Sequence, residues 1–276
     1  GRHGPGVTPV ALGYGRPPWP RSGPDLAPLP GVCQLWWARP CDVRPEHDAL
    51  LGEADVARRE RLARPADRQR MTAGAAVARL VLGTALGTPP ADLRIDRTCT
   101  TCGSPHGRPR LADVEGLDFS VSHSGHCVVV AVLPGGRVGV DVEQVARFAP
   151  GELEELASCA LPDAERENVV HLPAATQPRA FTVCWVRREA VLKATGQGLD
   201  VPPDGLALTP PSNPPRVLHS AGREPVWLRD VSAPPGFVAA LAGLGTPPDD
   251  VVHRDATSLL RQTSRRSSGP TTRSHR

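Results

Sequence analysis

The stretch from residue 118 to residue 143 constrains the fold most, because three β-length runs follow one another there with turn formers between them. The runs at 118–123 and 127–133 are divided at Gly125, and Pro134-Gly135-Gly136 leads from the second into a third at 137–143, which reads as a hairpin. Successive side chains on a strand face opposite ways, so Val138, Val140 and Val142 share one face while Asp141 and Glu143 project together from the other. Further along, Trp185-Val-Arg-Arg-Glu189-Ala-Val-Leu-Lys193 has helical spacing. Residues four apart on a helix are neighbours, so Glu189 and Lys193 stack one turn apart beside the stripe Phe181, Cys184, Trp185 and Leu192. Where the two segments pack, three carboxylates and a lysine can meet.

Other elements frame these two. Residues 1–30 are rich in Pro and Gly and read as an extended, weakly ordered lead-in. A strand is expected at 32–38, a helix with an arginine-rich face at 46–63, and a second helix at 68–86 that Asp67 caps and Gly87 with Pro89-Pro90 stops. That second helix turns Val77, Leu80, Val81 and Leu82 toward a core, and a short strand at 93–97 follows. Helices at 150–160, 162–171 and 178–195 precede strand-like pieces at 205–209, 216–219, 226–231 and 237–242.

Strand, helices and strands thus occur twice, which favours an α+β fold of two similar α/β-layered halves related by a pseudo-two-fold over one doubly wound sheet. The active site would lie in the cleft between them. The expected divisions are 31–134 for the N-terminal half and 135–245 for the half with the carboxylates, leaving 246–276 as a disordered tail rich in Ser, Thr and Arg.

With 276 residues the chain exceeds the usual single-domain length, in keeping with two halves. Aromatic residues make up only 4%, so Val, Leu and Ala must fill the core. The formal charge of +3 is too small to argue for nucleic acid, although Arg greatly outnumbers Lys and suits planar contacts to a small phosphate ligand. Seven cysteines without a repeating framework and no charged-then-apolar leader point to the cytoplasm. No apolar run approaches the roughly 20 residues that span a bilayer, so no membrane partner is expected.

Three carboxylates on one point repel unless a hard cation sits between them, and oxygen-only ligation suits magnesium, with manganese as the alternative. The competing reading treats Asp141-x-Glu143 as a solvated strand edge and Glu189 with Lys193 as an ordinary helix ion pair. Upstream, Phe119-Ser120-Val121-Ser122-His123-Ser124-Gly125 places a histidine and hydroxyls at a strand end. Contact with phosphate oxygens, a serine hydrolase centre and a buried histidine satisfied by backbone all remain open. The hydrolase reading is the weaker, since Gly-x-Ser-x-Gly is missing and adjacent strand residues face apart. Arg58 and Arg61 share a helical face, with Arg70 on the next helix and Arg108 in His106-Gly107-Arg108-Pro109. A solvated basic surface is the plain alternative for Arg58, Arg61 and Arg70.

Cys99-x-x-Cys102 with His106 has zinc-ligand character, but a closed structural site needs four ligands and no second such pair occurs. Thioredoxin-like chemistry fits less well, because the pair lies in a Thr, Gly and Pro loop.

In this order and spacing, His106–Pro109, Phe119–Gly125, Val138–Glu143 and Trp185–Lys193 running into Gly196-Gln197-Gly198-Leu199 resemble the 4′-phosphopantetheinyl transferases of the Sfp type. The resemblance spans about residues 32–243 and includes the basic helix with Arg58 and Arg61. It implies transfer of the phosphopantetheine arm of coenzyme A to a serine of an acyl or peptidyl carrier protein, releasing adenosine 3′,5′-bisphosphate. It further implies that Asp141, Glu143 and Glu189 ligate magnesium, that Glu189 helps deprotonate the serine, and that Lys193 neutralises or protonates the departing phosphate. Arg58, Arg61, Arg70, Arg108, Ser122 and His123 would hold coenzyme A. Arg188 and Arg108 stand where the family commonly has lysine, and both keep the charge. A non-catalytic coenzyme A or carrier-binding module and a magnesium-dependent phosphohydrolase are the other readings, and a monomer is expected. The carrier, and with it fatty acid, polyketide or nonribosomal peptide synthesis, is left open.

Overall fold

The computed structural model describes residues 28–99, 102–149, 151–198, 202–220, 222 and 224–261; the expected lead-in lies almost wholly outside them. Its strands are β1 (Val32–Ala38), β2 (Ile95–Asp96), β3 (Arg110–Leu111), β4 (Leu117–Ser124), β5 (Cys127–Pro134), β6 (Arg137–Gln144), β7 (Leu206–Leu208), β8 (Val217–Ser220), β9 (Val226–Val231), β10 (Phe237–Leu244) and β11 (Asp250–Asp255). The helices are α1 (Glu53–Glu60), α2 (Pro65–Leu86), α3 (Glu152–Ala160), α4 (Asp163–Val170) and α5 (Gln177–Thr195). The fold is mixed α and β.

Two larger sheets form, in the strand orders β11-β1-β5-β4 and β6-β10-β9. The order first strand, last strand, middle strand in β1-β5-β4 is repeated by β6-β10-β9. Alternation decides what each face of these sheets does. Cys33, Leu35, Trp37, Val129, Ala131 and Leu133 point from the first sheet onto Val138, Val140, Val142, Phe237, Ala239 and Leu241 of the second, so the sheets pack face to face. The opposite faces take the helices. Trp36, Val128, Val130 and Val132 meet Ala73, Ala76, Val77, Val81 and Leu82 of α2, while Val238, Ala240 and Ala242 meet Val186, Ala190, Val191 and Ala194 of α5. Each fully buried Val or Leu in these layers contributes about 1.5–3 kcal/mol. Small side chains make the four layers thin enough to bring groups on α5 down to the backbone of β6.

Four expectations change. Pro134-Gly135-Gly136 does not close a hairpin: β5 is flanked by β1 and β4, so both its edges are taken and β6 pairs with β10 instead. The turn is therefore the crossing between sheets. Residues 46–63 are not one helix, because a 3-10 turn at Pro45–Leu50 ends before Gly52, whose backbone is extended, and α1 starts afresh. A Cβ on Gly52 would lie 2.5 Å from Arg79 Nη2, so the break makes room for a buried arginine. Asp67 does not cap the second helix, which begins at Pro65, whose missing N–H costs nothing in a first turn. Finally, the chain does not leave the fold at 246. β11 pairs in parallel with β1, and Ala256, Leu259 and Leu260 are buried in the core beneath α2.

Candidate functional site

The site begins at a glycine. A Cβ on Gly139 would stand 2.1 Å from the carbonyl oxygen of Ala190 and 2.4 Å from the amide of Ala194, so only glycine lets α5 lie directly against β6. The face of β6 that carries Gly139 also carries Asp141 and Glu143, and the close approach sets Lys193 beside them. Lys193 Nζ donates to Asp141 Oδ1 at 2.6 Å and to the carbonyl of Val140 at 3.2 Å. Lys193 is the only lysine in the chain.

Asp141 is 3% exposed. Its Oδ1 accepts from Ser122 Oγ at 2.7 Å as well as from Lys193, whereas its buried Oδ2 has no hydrogen-bond partner among the described residues. A buried carboxylate oxygen without a partner is costly unless a ligand completes it. Glu189 and Glu143 bear on the same spot. Burial pushes the Glu189 carboxyl above its ordinary range, the Asp141 charge adds to this, and Lys193 and Arg188 oppose it. Burial likewise raises Glu143, with Asp141 and Glu189 adding, while its hydrogen bond to Ser124 and the charge of Lys193 pull it back. Glu189 and Glu143, whose charge is disfavoured by burial and by the neighbouring Asp141, and Asp141 itself, with a buried oxygen that has no partner among the described residues, are a donor set that fits a hard divalent cation. Among the described residues, the group of three whose ligand atoms all lie within 4.8 Å is Cys99, Cys102 and His106.

A cleft of about 1040 Å³ runs from α1 and α2 past β4 to the end of α5, and both Glu189 and Lys193 line it. Arg58 and His123 line it too. His123 faces the cleft because Phe119, Val121 and His123 alternate away from the serines of β4. The cleft walls depress its imidazole below the ordinary value, helped by the charges of Lys193, Arg70 and Arg58 and opposed by a backbone hydrogen bond. Arg70 approaches from α2, donating to Gly125 O at 3.1 Å and pairing with Asp67. Arg61 is exposed at the end of α1 and is not among the lining residues.

Arg108 and Ser122 are both engaged elsewhere. Arg108 lines the cleft, but its guanidinium pairs with Asp118 and donates to the carbonyls of Lys193 at 2.7 Å and Val138 at 2.8 Å. Ser122 belongs to a seam. β4 and β6 lie side by side without backbone pairing, and the amides of Val138, Val140, Val142 and Gln144 donate instead to side-chain oxygens of Asp118, Ser120, Ser122 and Ser124. The alternate polar residues of β4 therefore stitch the two sheets together and aim Asp141.

Sequence reasoning missed Arg97 and Arg137. Both line the cleft. Burial and the nearby Arg58 bring Arg97 down to about 10, leaving it a cation at neutral pH with its charge poorly compensated. Burial and Arg108 lower Arg137. The only signal for Arg97 was its place at the end of an expected strand, just before Cys99. The cleft can accordingly hold a polyanion among its arginines, with Glu189 and Lys193 also in its lining.

The family model described as the 4′-phosphopantetheinyl transferase superfamily matches residues 137–242, the span from β6 through α5 to β10. The chain is 32% identical over 237 residues to the 4′-phosphopantetheinyl transferase HetI of Nostoc sp., covering 82% of this chain and 94% of that protein. It is 25% identical over 228 residues to the 4′-phosphopantetheinyl transferase ffp of Bacillus subtilis, covering 78% and 93%. To the 4′-phosphopantetheinyl transferase Sfp of Bacillus subtilis it is 24% identical over 165 residues, covering 56% and 68%. The chain belongs to the 4′-phosphopantetheinyl transferases, of the Sfp type. It is an enzyme that transfers phosphopantetheine from coenzyme A to carrier proteins. Among the described residues no helix is long and apolar enough to cross a membrane.

Proposed function

We propose that the cleft between two pseudo-two-fold halves, 31–134 and 135–245, is the active site of this transferase, acting as a monomer in the cytoplasm. The observation that carries this reading is the buried Asp141 Oδ2 without a partner among the described residues, set beside Lys193, which lines a cleft that arginines line too. Asp141, Glu143 and Glu189 would hold magnesium, or manganese in its place. When bound, the cation would offset the charge that develops on the pyrophosphate of coenzyme A.

Arg58 and His123 would bind coenzyme A phosphates together with Arg97, with Arg61 and Arg70 as outer cations. Arg108 and Ser122 would act on the same ligand at one remove, by fixing the end of α5 and the aim of Asp141. Glu189, beside the cation, would be placed to accept the proton of the incoming serine. The serine oxygen then bonds to the phosphorus that bears the pantetheine arm, and the bond from that phosphorus to the bridging oxygen breaks. Lys193 would neutralise or protonate the phosphate that leaves as adenosine 3′,5′-bisphosphate. Fixed cations achieve this without reorganisation, and holding the hydroxyl in line supplies much of the remaining rate.

Intact mass of apo carriers from fatty acid, polyketide and nonribosomal peptide synthesis, incubated with coenzyme A, magnesium and the enzyme, tests the reading. The expected result is a gain of one phosphopantetheine arm with stoichiometric adenosine 3′,5′-bisphosphate. Binding without mass gain would indicate a coenzyme A or carrier-binding module. Product release from coenzyme A with no carrier present would indicate a phosphohydrolase.

A further inference from the structure

The loop between β2 and β3 is built with more care than a connection needs. The amide of Cys99 donates to Ser104 O at 2.8 Å, and the amide of Gly103 donates to Cys99 O at 2.9 Å. His106 N donates to Ser104 O at 2.9 Å, and Gly107 N closes the loop onto Arg97 O at 2.7 Å. Two glycines are required. Gly103, directly after Cys102, has φ +73, and a Cβ on Gly107 would stand 2.9 Å from both the Cα and the amide nitrogen of Cys99. This folding brings one ligand atom from each of Cys99, Cys102 and His106 within 4.8 Å of the others, with Cys102 Sγ 2.9 Å from His106 Nε2.

The three buried cysteines show what packing alone looks like. Cys33, Cys127 and Cys184 are buried, and desolvation pushes each thiol up to about 12, so they serve as small apolar side chains. Cys102 and His106 are exposed and Cys99 is half-buried, so core packing does not account for their meeting. Two soft sulfur donors and an imidazole select zinc over the hard cation that fits the carboxylate site. Zinc bonds of about 2.3 Å to sulfur and about 2.0 Å to nitrogen set tetrahedral ligand atoms roughly 3.4–3.8 Å apart, a spacing this cluster reaches with shifts of about 1 Å or less.

We infer that Cys99, Cys102 and His106 form a zinc site with three protein ligands and a fourth position occupied by water. Binding releases the two thiol protons to solvent, since the thiolates are the ligands. Cys99 and His106 line the cleft, and the loop closes on the backbone of Arg97, so the ion holds Arg97 at the cleft wall. The site is separate from the carboxylates.

The full chain, purified with reductant, stripped with chelator and titrated with cobalt(II), tests the inference. One cobalt per chain should bind with a thiolate-to-cobalt charge-transfer absorption, zinc should displace it, and native mass should show one zinc on the refilled protein. Cys102→Ser and His106→Ala, both at exposed positions, should each weaken binding at least about 100-fold with circular dichroism unchanged. Glu189→Gln should leave the cobalt spectrum intact, which separates this site from the magnesium site. Absence of the charge-transfer band, full cobalt affinity in Cys102→Ser, or a Cys99–Cys102 disulfide in protein isolated from cells would each overturn the assignment.

Discussion

Three of the cations on α5, Arg187, Arg188 and Lys193, live in different worlds. Arg187 and Arg188 are 1% and 5% exposed and are consumed by the interior. Arg187 grips Asp230 with two nitrogens, at 2.8 and 2.7 Å, and reaches the carbonyls of Pro210 and Asn213. Arg188 donates to Glu165 at 3.0 Å and to the carbonyls of Leu206 and Pro203, while the same Glu165 oxygen also accepts from the amide of Leu208. Lys193, less than two turns on, shares its carboxylate with nothing that completes it: Asp141 keeps a buried oxygen without a described partner. The arginines close a scaffold, whereas the lysine sits beside a carboxylate that the described residues leave incomplete. Charge on a helix thus says little about role, and the satisfaction of its partner says a great deal.

Breaking the scaffold side should have the largest effect on stability. Glu165→Ala strands the charge of Arg188 in the interior and should cost about 3–5 kcal/mol in denaturant unfolding, with turnover per folded molecule kept. Breaking the ligand side should do the opposite. Glu189→Gln should lower transfer about 100- to 1,000-fold, by carrier mass gain, and raise the melting temperature in chelator at neutral pH. The sign follows from burial, which raises Glu189 above its unfolded value. Such a group contributes stability that is complete below the ordinary carboxylate range and is lost as pH rises through the folded value. At neutral pH the wild type bears that penalty and the glutamine variant does not.

Magnesium sharpens the contrast further. At about 100 times its dissociation constant it should stabilise the wild type by about 2.7 kcal/mol in thermal unfolding and leave Asp141→Asn unmoved. The seam that aims Asp141 comes next. Ser120→Ala leaves the buried amide of Val140 without its acceptor and should cost about 1–3 kcal/mol in urea unfolding. Smallest is the acid limb of His123. Its depressed imidazole contributes stability present above about pH 6.5 and lost as pH falls toward the folded value, so His123→Asn should flatten the pH–stability curve there.

Much of the site could be read from order along the chain. Strand alternation put Asp141 and Glu143 on one face, helical spacing put Glu189 and Lys193 together, and both hold in three dimensions because local geometry sets them. The hairpin expected at Pro134-Gly135-Gly136 failed for a reason no local pattern contains: β1 occupies the edge of β5 that β6 would have used. The tail failed in the same way, since β11 earns its place only by pairing with β1, the far end of the chain.

The sequence by itself determined the residue set, its order, the faces of β6 and α5, and the family, because these depend on periodicities of two and 3.6 and on short motifs. Tertiary structure alone decided which charges are consumed by protein partners and which line the cleft. Arg108 and Ser122 look like ligands for phosphate in sequence but are bound to Asp118 and Asp141, while Arg97, inconspicuous in sequence, lines the cleft. The physical reason is that a polar group's role depends on which partners remain for it after burial, and those partners come from segments distant in the chain.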